Sequence, residues 1–140
     1  MNLKRFLAAT AALFVFIVLF EWLVHGYLLM NLYGETPHVW RTLDEMNTNM
    51  PLAMLFRVIF AAWLTYIFTQ IYPEGGIVNG VRFGLYFGVF MALLSASWYF
   101  YLPISAKLGW QWFAYGVLEG LISGMILGFI YKKDDVKTSS

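Results

Sequence analysis

The sequence contains no cysteine, and only 12% of its 140 residues are charged. Without cysteine the chain itself forms no disulfide bond, no thiolate metal site and no iron–sulfur cluster. The charged fraction is about half of the roughly 25% that soluble domains contain. The formal net charge is only +1, and the basic residues form no patch, so nucleic-acid binding has no support. The sequence also lacks a phosphate-binding loop, a nucleophile elbow and a pair of zinc-binding histidines.

Hydrophobic residues make up 61% of the chain, and the mean hydropathy is +0.67. They are concentrated in four runs, at about residues 6–30, 51–72, 76–101 and 109–131. Each run has roughly 20 or more residues, enough for a helix to cross a ~30 Å hydrocarbon core. Alternating ten-residue strands, which a membrane barrel needs, are absent from the sequence. The sequence therefore predicts a single domain over residues 1–140, an all-α bundle of four transmembrane helices.

The first apolar run follows two basic residues, as the apolar core of a signal peptide does. It is too long for a signal peptide and no small-residue cleavage site follows, so we interpret it as an uncleaved membrane helix. The basic residues predicted on one side of the membrane are Lys4, Arg5, Arg82, Lys132, Lys133 and Lys137, against Arg41 and Lys107 on the other. The positive-inside rule then predicts that both termini are cytoplasmic.

Residues 31–50 join the first two runs on the predicted outer side. Thr36 and Pro37 are a helix-start signal. The apolar residues that follow at helical spacing are Val39, Trp40, Leu43 and Met46. We interpret the segment as a short amphipathic helix at the membrane interface, and a lid over the interior is the alternative. The second membrane helix is predicted to start at Pro51, with Asn49 as its N-cap.

Glycine recurs at every fourth position in the third and fourth runs. The two rows comprise Gly80, Gly84 and Gly88 in the third run and Gly116, Gly120, Gly124 and Gly128 in the fourth. On a helix this spacing aligns the glycines on one face, where another backbone can approach closely, as in a glycine zipper. The rows predict either that these two helices pack on each other or that one row faces a partner.

Four ionisable residues interrupt the apolar runs, where such residues are costly and often functional. They are Glu21 and His25 in the first run, Arg57 in the second and Glu119 in the fourth. At about 1.5 Å of rise per residue, all four fall at a similar depth in the outer half of the bilayer. We predict a buried polar cluster in which Arg57 pairs with both carboxylates and His25 forms hydrogen bonds or relays protons. The candidates to join the cluster are Ser95, Ser97, Gln111 and Tyr115.

Two interpretations of the cluster remain open: a fixed ion-pair network that sets which helix faces meet, and a site that handles protons, ions or a ligand. No catalytic residue or cofactor is predicted, because no catalytic motif is present. No metal site is predicted either, because Glu21 and His25 are four residues apart whereas di-iron bundles use a three-residue spacing. The other histidine, His38, lies in the outer segment. His25 could therefore give one axial ligand to a haem or chlorophyll only if a partner chain completed the site. Aromatic residues are in excess toward the predicted outer side, which is typical of a membrane interface and also suits a pocket for a lipid, a quinone-like ring or a partner subunit.

Short motifs in all parts of the chain resemble a family of small bacterial membrane proteins. They are His25-Gly26 with Leu28-Leu29 and Tyr33, then Trp40-Arg41, Arg82-Phe83-Gly84-Leu85 and Leu127-Gly128-Phe129-Ile130-Tyr131. On these motifs the chain is similar to an uncharacterised family of four-helix proteins of the bacterial inner membrane. The resemblance implies the four-helix layout and an inner-membrane location, and it implies no activity.

These observations lead to three hypotheses of function. The first is a non-enzymatic protein that acts by assembly, either as an accessory or structural subunit of a larger membrane complex or as a homo-oligomer joined through its glycine faces. The second is a proton-coupled or small-solute transporter or channel that uses the Glu, His and Arg cluster. The third is an enzyme on a lipid or isoprenoid substrate. The expected partners are the lipid bilayer and other membrane subunits or further copies of the chain.

Overall fold

The computed structural model describes residues 2–132, so Lys133 and Lys137, which contribute to the predicted orientation, lie outside the described residues. Within this range the protein is all-α. The α-helices are α1 Leu3–Leu23, α2 Met30–Gly34, α3 Leu43–Ile71, α4 Ile77–Ser97 and α5 Ala106–Ile130. A π-helical turn, Val24–Leu28, extends α1, and 3₁₀ turns occupy Pro37–Val39 and Trp98–Phe100.

Four helices are long and apolar enough to cross a membrane, which confirms the predicted fold class in its main feature. These spans are Leu3–Leu28, Leu43–Ile71, Ile77–Phe100 and Ala106–Ile130, with best-window mean hydropathies of 1.7 to 2.4. Their outward faces carry large apolar side chains, and Trp22 and Phe129, for example, are 68% and 76% exposed. An extensive apolar surface suits lipid rather than water. The structure therefore fits an integral membrane protein.

The four long helices are arranged in the order α3, α1, α5, α4 around a bundle that closes only loosely. α1 packs against α3 and α5, and α4 packs closely against α5. Between α3 and α4 the contact is made by aromatic rings, with centroids 5.9 Å apart for Phe60 and Phe87 and 5.3 Å apart for Phe68 and Phe83. Because the α3 and α4 backbones stay apart, space is left inside the bundle on this side.

We name the two ends of the bundle after residues that lie there. The Asn2 end contains the start of α1, the α3–α4 turn and the end of α5. The Asn2 amide donates to the Tyr131 hydroxyl at 3.4 Å, which joins the first and last helices at this end. The Trp40 end contains residues 29–42 and the α4–α5 connection.

α4 and α5 meet along their glycine rows, backbone against backbone. A Cβ atom on Gly80 would overlap the Gly124 carbonyl oxygen, and a Cβ atom on Gly84 would overlap that of Gly120. A Cβ atom on Gly120 would lie 2.7 Å from the nitrogen of Gly88, closer than real Cβ contacts. Small residues permit this approach in lipid, where van der Waals contact rather than the hydrophobic effect holds helices together. The two rows are thus used inside one chain.

The α3–α4 turn depends on two glycines with positive φ, Gly75 at 64° and Gly76 at 91°. L side chains rarely adopt these angles, and a Cβ atom on Gly75 would also overlap the Tyr131 carbonyl oxygen. The Gly76 amide donates to the carbonyls of Gly128 and Tyr131, at 3.1 and 3.3 Å. The turn is therefore held directly against the end of α5.

α3 begins at Leu43 and not at Pro51, so the predicted start of the second membrane helix is corrected. The Thr42 hydroxyl accepts from the Glu45 amide at 3.3 Å, and the Glu45 carboxylate accepts from the Thr42 amide at 2.9 Å. This reciprocal pair is a capping box and starts the helix earlier than the proline does. Asn49 is not an N-cap, because its side chain donates to the Glu45 carbonyl inside the helix, at 2.7 Å.

The separate interfacial helix predicted for residues 31–50 is not confirmed, because this segment is divided among α2, the Pro37–Val39 turn and the first turns of α3. Trp40 packs instead onto a small hydrophobic core at the Trp40 end. The buried residues of that core are Val24, Leu29, Ile104 and Leu108. Residues 29–42 therefore fold over this end of the bundle.

Candidate functional site: a polar cavity within the bundle

A cavity of about 410 Å³, which we call the main cavity, lies inside the bundle on the loose α3–α4 side. The structure brings all four ionisable residues of the predicted cluster to its wall: Glu21, His25, Arg57 and Glu119. The cavity volume falls within the range of small-molecule sites. At roughly 30 Å³ per water molecule, it has room for on the order of ten waters.

The glycine rows help to create this space. Gly88, Gly116 and Gly120 all line the main cavity, and none of them contributes a side chain that could fill it. The other walls carry larger apolar groups, including Phe60 and Phe87, which meet each other across the α3–α4 gap. The packing that holds α4 against α5 thus leaves an open volume beside them.

Arg57 and Glu21 form an ion pair between α3 and α1. Arg57 Nε donates to Glu21 Oε2 at 2.6 Å, and Arg57 Nη2 contacts the same oxygen. The two side chains also line a groove of about 740 Å³ between α1 and α3, whose apolar walls include Leu19 and Met54. The ion pair therefore stands between the main cavity and this groove, and pairing lowers the cost of placing both charges at this depth.

Glu119 reaches the main cavity from α5 without a bonded partner. Within residues 2–132 its carboxyl group makes no hydrogen bond and no ion pair. The sequence predicted that Arg57 would pair with both carboxylates, but its bonds go to Glu21 alone. The reason is geometric, because Nε and Nη2 both point at one oxygen on α1. Glu119 is consequently the carboxyl group available to whatever occupies the cavity.

His25 is held by a hydrogen bond to the Tyr33 hydroxyl. The Tyr33 hydroxyl oxygen lies 2.5 Å from His25 Nδ1 and 2.8 Å from Trp112 Nε1. An indole N–H only donates, so the Tyr33 oxygen accepts from Trp112. Burial raises the pKa of Tyr33, which keeps the hydroxyl proton on the phenol. That proton is available to Nδ1 in the tautomer of His25 that carries its own proton on Nε2.

The local backbone at His25 is a π-helical turn, in which the Leu29 amide donates to the Val24 carbonyl at 2.8 Å. Such turns insert an extra residue into a helix and occur frequently at functional sites. The chain then continues through α2, so that Tyr33 meets His25 eight residues further on. The Tyr33 carbonyl also accepts from Trp40 Nε1 at 3.1 Å, a bond within residues 29–42, whereas the contacts of the Tyr33 hydroxyl with His25 and Trp112 link this segment to the bundle.

A second cavity of about 240 Å³, the side cavity, adjoins the main cavity toward the Trp40 end. The residues that line both cavities are His25, Ser95, Gly116 and Glu119. The side cavity is otherwise walled by the aromatic residues Phe20, Trp98, Trp112 and Tyr115. Tyr33, Trp40 and Trp112 form a cluster of ring contacts at this end, with centroids 5.0 to 6.4 Å apart.

The candidates for joining the cluster divide into two groups. Ser95 and Tyr115 line the cavities. Ser97 and Gln111 line neither, and the Ser97 hydroxyl donates to the Leu94 carbonyl of its own helix at 2.7 Å. Sequence reasoning missed Ser123, a buried residue in the main-cavity wall, although its position four residues after Glu119 was a usable signal.

In the described part of the chain, no three His, Asp or Glu side chains are placed so that they could hold a metal ion. His38 lies in the Pro37–Val39 turn and lines neither cavity. His25 lines the cavity, and its role as an axial ligand stays a prediction.

The chain matches no protein-family model, no curated protein and no solved structure. The resemblance to small bacterial four-helix proteins therefore also stays a prediction.

Proposed function

We propose that this chain is a small membrane transporter or channel whose main cavity receives protons or a small solute. The observation that carries the proposal is Glu119, which faces the cavity without a bonded partner among residues 2–132. A purely structural ion-pair network needs only Arg57 and Glu21, because their charges already cancel. A further carboxyl group at this depth must take up a proton or meet water or a solute. Proton uptake or a cavity ligand accounts for Glu119, and the ion pair does not need it.

Each polar group has a distinct role in this proposal. Glu119 takes up the proton or contacts the solute. His25 presents its Nε2–H as a hydrogen-bond donor, because Tyr33 occupies Nδ1. The ion pair of Glu21 and Arg57 separates the cavity from the α1–α3 groove, so its opening would join the two spaces.

Flux through vesicles tests the proposal. Purified protein is reconstituted, a pH gradient is imposed, and an internal pH-sensitive dye reports its decay with and without candidate solutes. We expect faster decay than in empty vesicles, and loss of this activity in Glu119→Gln. Glu35→Gln is the matched control, because Glu35 is an exposed carboxyl group outside both cavities. Vesicles with no proton flux, combined with no saturable binding of any solute, would contradict the proposal.

Assembly is the second candidate, as an accessory subunit of a larger complex or as a homo-oligomer. It is favoured by the first half of α3, which exposes Leu52, Leu55 and Ile59 on several sides and packs against little else. The glycine rows are occupied within the chain, so a partner would bind at α3 instead. Native mass determination in mild detergent tests this candidate, and a particle containing one copy and no other protein would contradict it.

We also propose a bacterial inner-membrane location with the Asn2 end in the cytoplasm. The basic residues within the described range support this orientation. Those at the Asn2 end are Lys4, Arg5, Arg82 and Lys132, and those at the Trp40 end are Arg41 and Lys107. Cytoplasmic ends of membrane helices carry the excess of Lys and Arg.

A further inference from the structure

We infer that the solute of the main cavity is a small organic monocation, such as an ammonium ion that carries an aromatic or aliphatic group. This inference rests on the proposed function, because it specifies the chemical class that the same cavity binds. It is carried by the net charge of the cavity wall, by its aromatic side chains and by its volume.

When Glu119 is ionised, the charged side chains of the main cavity leave one negative charge. Two carboxylates, Glu21 and Glu119, face a single guanidinium, that of Arg57. A neutral His25 adds no charge to this sum. A cavity between membrane helices has a low effective dielectric, so one uncompensated negative charge strongly favours a monocation over a neutral molecule or an anion.

Aromatic side chains line the same cavities as Glu119. Phe56, Phe60 and Phe87 line the main cavity together with Glu119, and Trp98 and Trp112 line the adjoining side cavity. The faces of such rings attract cations electrostatically, most strongly when the cation is desolvated, and this is how proteins recognise quaternary ammonium groups. The carboxylate supplies the charge, and the rings supply contact for the organic substituents.

A bare metal ion fits this wall less well. A volume of about 410 Å³ suits a molecule with several heavy atoms. Hard cations require six or more oxygen ligands or retain much of their water. Over residues 2–132 no cluster of three acidic or histidine side chains offers such a set, and apolar groups such as Leu64 and Met91 occupy much of the wall.

A set of similar probes that differ in charge tests the inference. Phenyltrimethylammonium is the cation, tert-butylbenzene is its neutral analogue of the same shape, and benzenesulfonate is the anion. Binding is measured by titration calorimetry on the full chain in lipid nanodiscs, with empty nanodiscs subtracted. We expect saturable binding of the cation, on the order of tenfold or more tighter than the neutral analogue, and no saturable binding of the anion.

Two variants and two controls identify the groups responsible. Glu119→Gln is expected to abolish the preference for the cation and to leave binding of the neutral analogue. Phe56→Leu is expected to weaken binding of the cation several-fold. Glu35→Gln and Phe129→Leu are the matched controls, because both residues are exposed and line neither cavity. Phe56→Leu keeps the test valid if Glu119→Gln does not fold.

Each binding result either supports or overturns the inference. Cation preference that is lost in Glu119→Gln supports the inference. Equal binding of the neutral analogue, or tighter binding of the anion, overturns the inference and leaves the proposed transporter with another class of solute. No saturable binding of any probe alongside persistent proton flux overturns it in favour of a proton channel. No binding and no flux would remove the proposed function as well.

Discussion

At the scale of single residues, two carboxylates at similar depth meet different surroundings. Glu21 is neutralised by Arg57, whereas Glu119 faces a cavity. Counting residues along helices predicts a common depth, because the rise per residue is constant. It does not predict which carboxylate the guanidinium binds, since this depends on how each helix is rotated about its axis. The contact between Tyr33 and His25 could not be predicted either, because a π-helical turn and α2 determine the position of Tyr33.

Cation binding should weaken as the pH falls, because a proton and the cation compete for Glu119. The ionisable side chains that line the cavities with Glu119 are Glu21, His25, Arg57 and Tyr115. The wall residues that α4 contributes are all uncharged. Calorimetry with phenyltrimethylammonium from pH 8 to about pH 5 checks this. We expect the affinity of the wild-type protein for the cation to fall, as the pH falls, toward the affinity of the Glu119→Gln variant. The affinity of that variant should change little with pH. A pH-independent affinity in the wild-type protein would contradict the competition.

Tyr33→Phe should shift the tautomer equilibrium of His25. The substitution removes the hydroxyl that contacts Nδ1 and accepts from Trp112, so no hydroxyl at this position favours one ring tautomer over the other. The ¹⁵N chemical shifts of the imidazole report this directly. We expect a single tautomer protonated at Nε2 in the wild-type protein and a mixture in the variant. Tyr86→Phe, at a largely exposed position, is the control and should leave the shifts unchanged.

At the scale of elements, the glycine rows predicted a close helix contact because a four-residue spacing defines one helix face. They could not predict whether the other surface was a neighbour in the same chain or a partner, since both present the same small-residue pattern. The predicted start of α3 was wrong because two start signals compete. Pro51 is a familiar helix-start residue, but the Thr42–Glu45 capping box lies earlier and satisfies the free amides of the first turn.

Gly120→Ala should destabilise the protein and not merely change its assembly. The added methyl group would lie 2.7 Å from the Gly88 nitrogen and 2.8 Å from the Gly84 carbonyl oxygen, so the backbones must separate. We expect a loss of about 1–3 kcal/mol, as for other overpacked sites. Thermal unfolding followed by circular dichroism in mild detergent measures it. Gly34→Ala is the matched control, because a Cβ atom there meets nothing within 4 Å. Equal stability of the two variants would contradict the packing described.

At the scale of the whole molecule, the two ends differ in both packing and charge. The Asn2 end is closed by the α3–α4 turn against α5, whereas the Trp40 end is covered by residues 29–42. The absence of native cysteine makes these ends simple to label. In intact cells, a membrane-impermeant maleimide should modify Glu35→Cys at the Trp40 end directly. It should modify Glu74→Cys, in the α3–α4 turn, only after permeabilisation. The reverse pattern would contradict the proposed orientation.

The central claim is that a solvent-accessible cavity with a net negative charge lies within the membrane-spanning bundle. The most direct measurement is the rate at which thiosulfonate reagents modify Ser95→Cys in nanodiscs, because Ser95 lines both cavities. We predict that a trimethylammonium reagent reacts on the order of tenfold faster than a sulfonate reagent, relative to their rates at Glu35→Cys. Adding Glu119→Gln should remove this difference. A thiol that neither reagent reaches, or that the sulfonate reagent modifies faster, would contradict the account.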